Sequence, residues 1–261
     1  MANALVGFQN WVDTAGAQLT TTSQASGLPV DNLADERISK VWRSAAGSGD
    51  ASVVLDAGQP RSLQLVGVFG SNATAAATFR LRVSDADPTG AAGEIYDSGT
   101  LAAGLVDPVY KSFIHVLPGA VTGRHVRLDV SDAGLTYIEA GRWFVGPYWR
   151  PAVGVQFGLR RGYADPSVLD ATLGGQIFID RKPKARRFTF TFDFVTEAEM
   201  LAGLAEIDRL ASGTEDVLLV LDPASTNLGR DSIWGLLSNP SGIASTVHDS
   251  FQQSYIITER L

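Results

Sequence analysis

Cysteine is absent from the 261 residues, and histidine occurs only three times. The first absence excludes disulfides, thiolate nucleophiles and cysteine-based zinc sites. The histidines, His115, His125 and His248, fall in no ligand spacing such as H-x-x-x-H, so a histidine-held metal is not expected. No G-x-S-x-G elbow is present from which to build a serine triad. "GVFGSN" (67–72) lacks both a Walker lysine and the Rossmann glycine spacing, so phosphate binding is not expected there. No apolar run approaches membrane-spanning length, and "MANALVGFQNWVD" has neither the basic start nor the apolar core of a secretory leader. The expectation is a soluble chain without membrane insertion. Acidic residues are plentiful, but nothing selects one carboxylate pair over another for acid–base work, so no enzyme is expected.

What is present is β-forming. A hydrophobic content of 45% supports real cores, and 27 glycines with 11 prolines supply frequent turns. The net charge of −7 is spread along the chain, which argues against sequence-specific nucleic-acid binding or attraction to anionic membranes. Over 1–147, "ASVVLDAG", "LQLVGVFG", "TFRLRVSD", "SFIHVLPG" and "HVRLDVSD" are short strands ending in turn formers. In "TFRLRVSD", Phe79, Leu81 and Val83 share one face and Arg80, Arg82 and Ser84 the other, the mark of a half-buried strand. Strands at this spacing with no intervening helix fit a two-sheet sandwich. "GPYWRPAVG" interrupts the pattern, placing a packed junction at 148–153 and a second domain at 154–261.

The second domain is expected to be α+β. In "RKPKARRFTFTFDFVTEAEMLAGLAEIDRL" (181–210), Phe188, Phe190, Phe192 and Phe194 alternate with Thr189, Thr191 and Asp193, so four rings are expected on one face. Burial contributes roughly 1.5–3 kcal/mol per ring, and the strand therefore needs a cover. Thr196 and Glu199 form a capping box opening a helix over about 197–211, whose stripe Met200, Leu204, Ile207 and Ala211 can supply that cover. The basic cluster Arg181, Lys182, Lys184, Arg186 and Arg187 precedes it. It reads as a solvated strand entrance guarding an edge, or as a subunit contact; a nucleic-acid surface would want exposed aromatics beside the charges.

The ordered series "PVDNLADERISKVWRSA", "SVVLDAGQPRSLQLVGVFGSN", "FRLRVSD", "GRHVRLDVSD" and "YIEAGRWFVG" resembles the galactose-binding-like (discoidin-type) jelly-roll family, with Asp35, Trp42 and Ser44 matching its D-x6-W-x-S element. That resemblance implies two sites. One is calcium between Asp35 and Glu139, although Glu36, Arg37 and Lys40 depart from the family pattern there and added cations oppose a divalent ion. The other is sugar binding by loop aromatics, with Tyr96, Tyr110 and Tyr137 as contributors. The second half, with "VLLVLDP", "IWGLLSN" and "YIITERL" after the phenylalanine strand, resembles the tail-tube-like β domains of tailed-phage distal tail and baseplate proteins. This implies a closed homo-oligomeric ring, hexameric by resemblance, at the virion tail tip. Such a ring is assembled in the host cytoplasm and links tail tube to hub, with the jelly roll facing receptor-binding proteins or host glycans. The rival expectation is a carbohydrate-binding module protein that recognises host-surface glycans.

Overall fold

The computed structural model describes residues 3–105, 109–171, 173–211, 213–238 and 241–261. Among these the chain is mainly β, with two large antiparallel sheets, one interrupted helix over Glu197–Leu210 and a single helical turn at Leu228–Asp231. The first sheet runs in the order Arg142–Gly146, Asp50–Phe69, Ser112–Ser131, Thr78–Ser84, Tyr96–Asp97, with Gln18–Thr21 added beside Asp50–Phe69. Its two long strands lose register between Asp56 and Arg61 and again between Leu63 and Leu65. Pro60 lies in the first gap; Pro118, on the partner strand, lies opposite the second. Proline cannot donate to the ladder and bulges bend strands, so the sheet curls around its own core. Trp42, Leu55, Leu63, Phe79, Leu81 and Trp143 fill that core, as the jelly-roll expectation requires.

The second sheet runs Leu5–Gly7, Asp216–Val220, Ser232–Ser238, Ser250–Glu259, Ala185–Val195, Arg160–Ala164. Its first strand comes from the segment that the sequence alone assigns to the sandwich. Leu5, Val6 and Gly7 pair with Val220, Leu219 and Leu218, and Val6 exchanges backbone hydrogen bonds of 2.9 and 2.8 Å with Trp149 on its other side. The division at 148–153 is therefore crossed by the amino-terminal strand, a pairing that local pattern cannot reveal. Between the sheets Leu5, Leu65, Phe69, Phe144, Leu218 and Trp234 make a third buried cluster. Gly7 and Gly67 permit the approach: a Cβ on Gly7 would lie 2.6 Å from Phe144 Cζ, and one on Gly67 would lie 2.9 Å from Phe69 Cζ.

The phenylalanine strand holds three inward rings, not four. Phe188, Phe190 and Phe192 are buried, and Phe190 and Phe192 meet edge to face at 5.4 Å. Phe194 instead sits outward at φ 57°, because the register shifts between Phe192 and Val195 and Val195 takes the inward place. An inserted residue exchanges the two faces of everything beyond it. The Asp193 carboxylate accepts from the Phe194 N–H at 2.8 Å and holds the bulge.

The cover is as expected, with one refinement. Thr196 and Glu199 make the capping box, and Leu204, Ile207 and Ala211 are fully buried beneath. Met200–Leu204 widens to a π turn between α-helical Glu197–Glu199 and Ala205–Leu210. Gly203 lies there against the indole of Trp149, where a Cβ would stand 2.0 Å from Cε2. Phe190→Asp should thus abolish cooperative folding of this sheet, since truncating a buried ring alone costs about 3–5 kcal/mol. Phe194→Asp should change stability by about 0.5 kcal/mol or less. Chemical denaturation of both variants checks the bulge: equal losses would return Phe194 to the core.

Candidate functional site

Strands Arg160–Ala164 and Ala185–Val195 are adjacent and antiparallel, so a tight turn could join them. Between them, Val168–Ala171 and Ile177–Asp180 instead form a separate two-stranded sheet. Pairing sets Leu169 opposite Ile179 and Ala171 opposite Ile177, so one face of this hairpin is wholly aliphatic. The other carries Val168 and Phe178 among Asp170 and Asp180. Leu169 is 68% exposed and Ile177 64%, so the aliphatic face packs against no core among the described residues. Tyr163, Phe157, Phe194 and Leu201 are further large exposed side chains of the same half.

The basic cluster divides between this arm and the interior. Arg181, Lys182 and Lys184 stand exposed at the root of the hairpin, Lys182 facing Asp180 at 3.8 Å and Lys184 paired with Asp165 at 2.8 Å. Arg187 is exposed on the neighbouring strand. Arg186 is taken up inside the chain. Its Nε and Nη2 donate to Glu259 at 2.8 and 2.6 Å, Nη1 donates to the carbonyls of Gly229 and Ser232 at 3.0 Å, and the guanidinium lies 4.8 Å over the Tyr110 ring.

The expected calcium pair does not fit a divalent ion. Asp35 accepts from Arg37 Nε at 2.9 Å and from Lys40 Nζ at 2.8 Å, and these partners hold its carboxyl far below the usual range. Glu139 is paired with Arg43 at 2.6 Å. Calcium wants six or more oxygens without adjoining cations, and no group of three or more metal-ligating side chains converges among the described residues. The tyrosines have separate partners. Tyr96 Oη meets His115 Nε2 at 2.9 Å, Tyr110 lies under Arg186, and Tyr137 lies 4.5 Å under Arg43. Burial pushes the His115 imidazole below its ordinary value.

A polar groove of about 350 Å³ lies instead on the outer face of the sandwich sheet. Register aligns Arg80 with Asp129 and Ser52 across three strands, and Thr78 with Ser131 and Asp50 in the next row. Arg82 and Arg127 both donate to Asp129, at 2.6 and 2.8 Å, while Arg80 Nε donates to Asp97 at 2.9 Å. The alternation of "TFRLRVSD" already placed Arg80 and Arg82 outward; the acidic and hydroxyl partners come from strands distant in the chain.

No family profile and no curated protein matches the chain. Solved structures similar to it include the family 32 carbohydrate-binding module of Clostridium perfringens NanJ in complex with galactose, at 10% identity and a TM-score of 0.41, covering 52% of this chain and 96% of that one. A chitosan-binding module from a Paenibacillus chitosanase/glucanase is 16% identical with a TM-score of 0.40, covering 53% and 98%. A Streptococcus pneumoniae fucose-binding module is 13% identical with a TM-score of 0.40, covering 54% and 96%. The tail-component resemblance finds no counterpart among these three.

Arg186→Glu should destabilise the protein by about 3 kcal/mol or more, as breaking a buried pair does, whereas Arg187→Glu should leave thermal stability unchanged. Equal melting temperatures for the two would contradict the interior position of Arg186. A second expectation concerns acid. Arg124 lowers the Asp56 carboxyl to about 2, and Arg80 lowers Asp97 to about 2. Both folded values lie below an unfolded aspartate near about 3.9, so their stabilisation is fully present above that pH and is lost as pH falls towards 2. Tryptophan fluorescence during acid titration should report weakening of the sandwich inside that window. The double variant Asp56→Asn/Asp97→Asn should flatten the dependence.

Proposed function

We propose that this protein is a non-catalytic architectural subunit that joins copies of itself through the projecting hairpin 165–184, carrying the jelly roll as an appended binding unit. The observation that carries this reading is the wet aliphatic face of Leu169, Ala171, Ile177 and Ile179. A lone two-stranded hairpin is marginal in water, and contiguous exposed apolar surface marks an interaction site. The same half offers apolar acceptors in Phe157, Phe194 and Leu201. An arm on one patch that docks onto a different patch of the next copy is a heterologous contact, which closes into a ring when the rotation allows. Phe194 fits an acceptor role, since a phenylalanine held at positive φ is strained and such strain collects at functional positions.

This reading agrees with the setting that the sequence resemblance implies, a ring at a phage tail tip between tube and hub. Arg181, Lys182 and Lys184 at the root of the arm would then set register between neighbours more than affinity. Mass photometry of the purified chain should show one closed oligomer. Leu169→Asp/Ile179→Asp should yield monomers with the parent's circular dichroism and a cooperative melt, because neither side chain supports a core. A wild-type chain that stays monomeric at micromolar concentration would sink the proposal.

A second reading, glycan recognition by the sandwich, is favoured by the groove on its outer sheet face. Arginine, aspartate, serine and threonine side chains converge there in an open trough, the polar equipment a saccharide needs for orientation. The two readings are compatible, since a ring can carry binding modules on its rim.

A further inference from the structure

We propose that the sandwich groove takes an acidic saccharide, its carboxylate meeting Arg80 and Arg127 while ring hydroxyls meet the serine and threonine rows. This rests on the second reading above and names the ligand class for that site. Donor arithmetic is the first support. A guanidinium carries five N–H donors. Arg80 commits Nε and Nη2 to Asp97, leaving Nη1; Arg127 commits Nε to Asp129 and Nη1 to the Thr89 carbonyl at 3.3 Å, leaving Nη2. Arg82 gives Nη1 to the Ala91 carbonyl and Nη2 to Asp129, and its buried Nε has no acceptor among the described residues. Donors are thus in surplus along one wall.

Charge is the second support. Arg80, Arg82 and Arg127 line the groove with Asp50 and Asp129, and Asp97, which holds Arg80, brings the balance to three cations and three carboxylates. The trough is thus locally neutral in a chain of net charge −7, and a single carboxylate meets no net repulsion there. A nucleic-acid backbone needs several phosphates neutralised, for which this balance leaves no surplus. Aromatic chemistry is the third. Phe79 is the one aromatic in the lining and faces the core at 1% exposure, so no ring plane is offered to a pyranose. Affinity must come from hydrogen bonds, and a carboxylate accepts two parallel bonds from a guanidinium as an ion pair, which a neutral hydroxymethyl group cannot.

The test is a glycan array of matched pairs that differ only at the sugar's C6: galactosides with galacturonosides, and glucosides with glucuronosides. It is probed with the labelled full-length chain and with Arg80→Gln and Arg127→Gln. The uronosides should be retained over their neutral partners. Either variant should weaken retention about tenfold, the equivalent of one charge-assisted hydrogen bond. Arg80 is 43% exposed, so Arg80→Gln keeps the fold and remains informative should Arg127→Gln unfold. Equal or better retention of the neutral partners overturns the acidic inference while leaving glycan recognition standing. Uronoside binding indifferent to both variants places the site elsewhere and also overturns it. Retention of no glycan removes the inference and the glycan reading together.

Discussion

The clasp of Leu5–Gly7 between Asp216–Val220 and Trp149 is the constraint on which the rest of the architecture depends. Leu5–Gly7 lies in the carboxy-terminal sheet, the chain then leaves to build the sandwich, and it returns through Trp149 to the same place. Two sheets tied at both the entry and the exit of one of them cannot swing freely. Gly7 and Gly67 let the clasp sit flush against Phe144 and Leu218, and Leu5, Leu65 and Trp234 seal the space between. This interface is apolar and close-packed like a domain interior, unlike the polar joints across which domains usually move.

Charged side chains reinforce the joint at its rim. Arg260 donates to Asp216 at 2.8 Å and to Glu36 of the sandwich at 2.6 Å, and Arg186 reaches from the second sheet to the ring of Tyr110. Burial pushes the Asp216 carboxyl upward, against the pull of Arg260. The apolar cluster therefore holds the two units together, while the ion pairs fix their alignment. The sandwich sheet that carries the groove and the strands Arg160–Ala164 and Ala185–Val195 from which the arm springs are consequently held in one fixed relation.

Much of the local structure was legible because local periodicity carried it. The capping box Thr196–Glu199, the stripe Leu204, Ile207 and Ala211, and the inward Phe79, Leu81 and Val83 all follow from spacing, since side-chain direction along a regular element is set by its own backbone. Alternation misplaces Phe194 for the same reason: it assumes an unbroken ladder, and a bulge interrupts that ladder without any glycine or proline to announce it. Arg186 looks like its four solvated neighbours in sequence, because charge there says nothing of the Glu259 carboxylate that waits across the sheet. Leu169, Ala171, Ile177 and Ile179 stand in plain view in the sequence, yet only their exposure among the described residues turns them into a candidate site.

Composition and periodicity are enough to establish that the chain is β-rich, that it has no disulfide, and that a phenylalanine strand is covered by its own amphipathic helix. These follow from composition and from periods of two and 3.6 residues, which are properties of neighbours along the chain. Tertiary structure alone decided that the first strand belongs to the last sheet, that the arm stands apart from both cores, and that Arg80, Arg127 and Asp129 share one groove. Those are pairings between residues far apart in sequence, selected by burial and hydrogen-bond satisfaction over the whole molecule, and no local pattern encodes them.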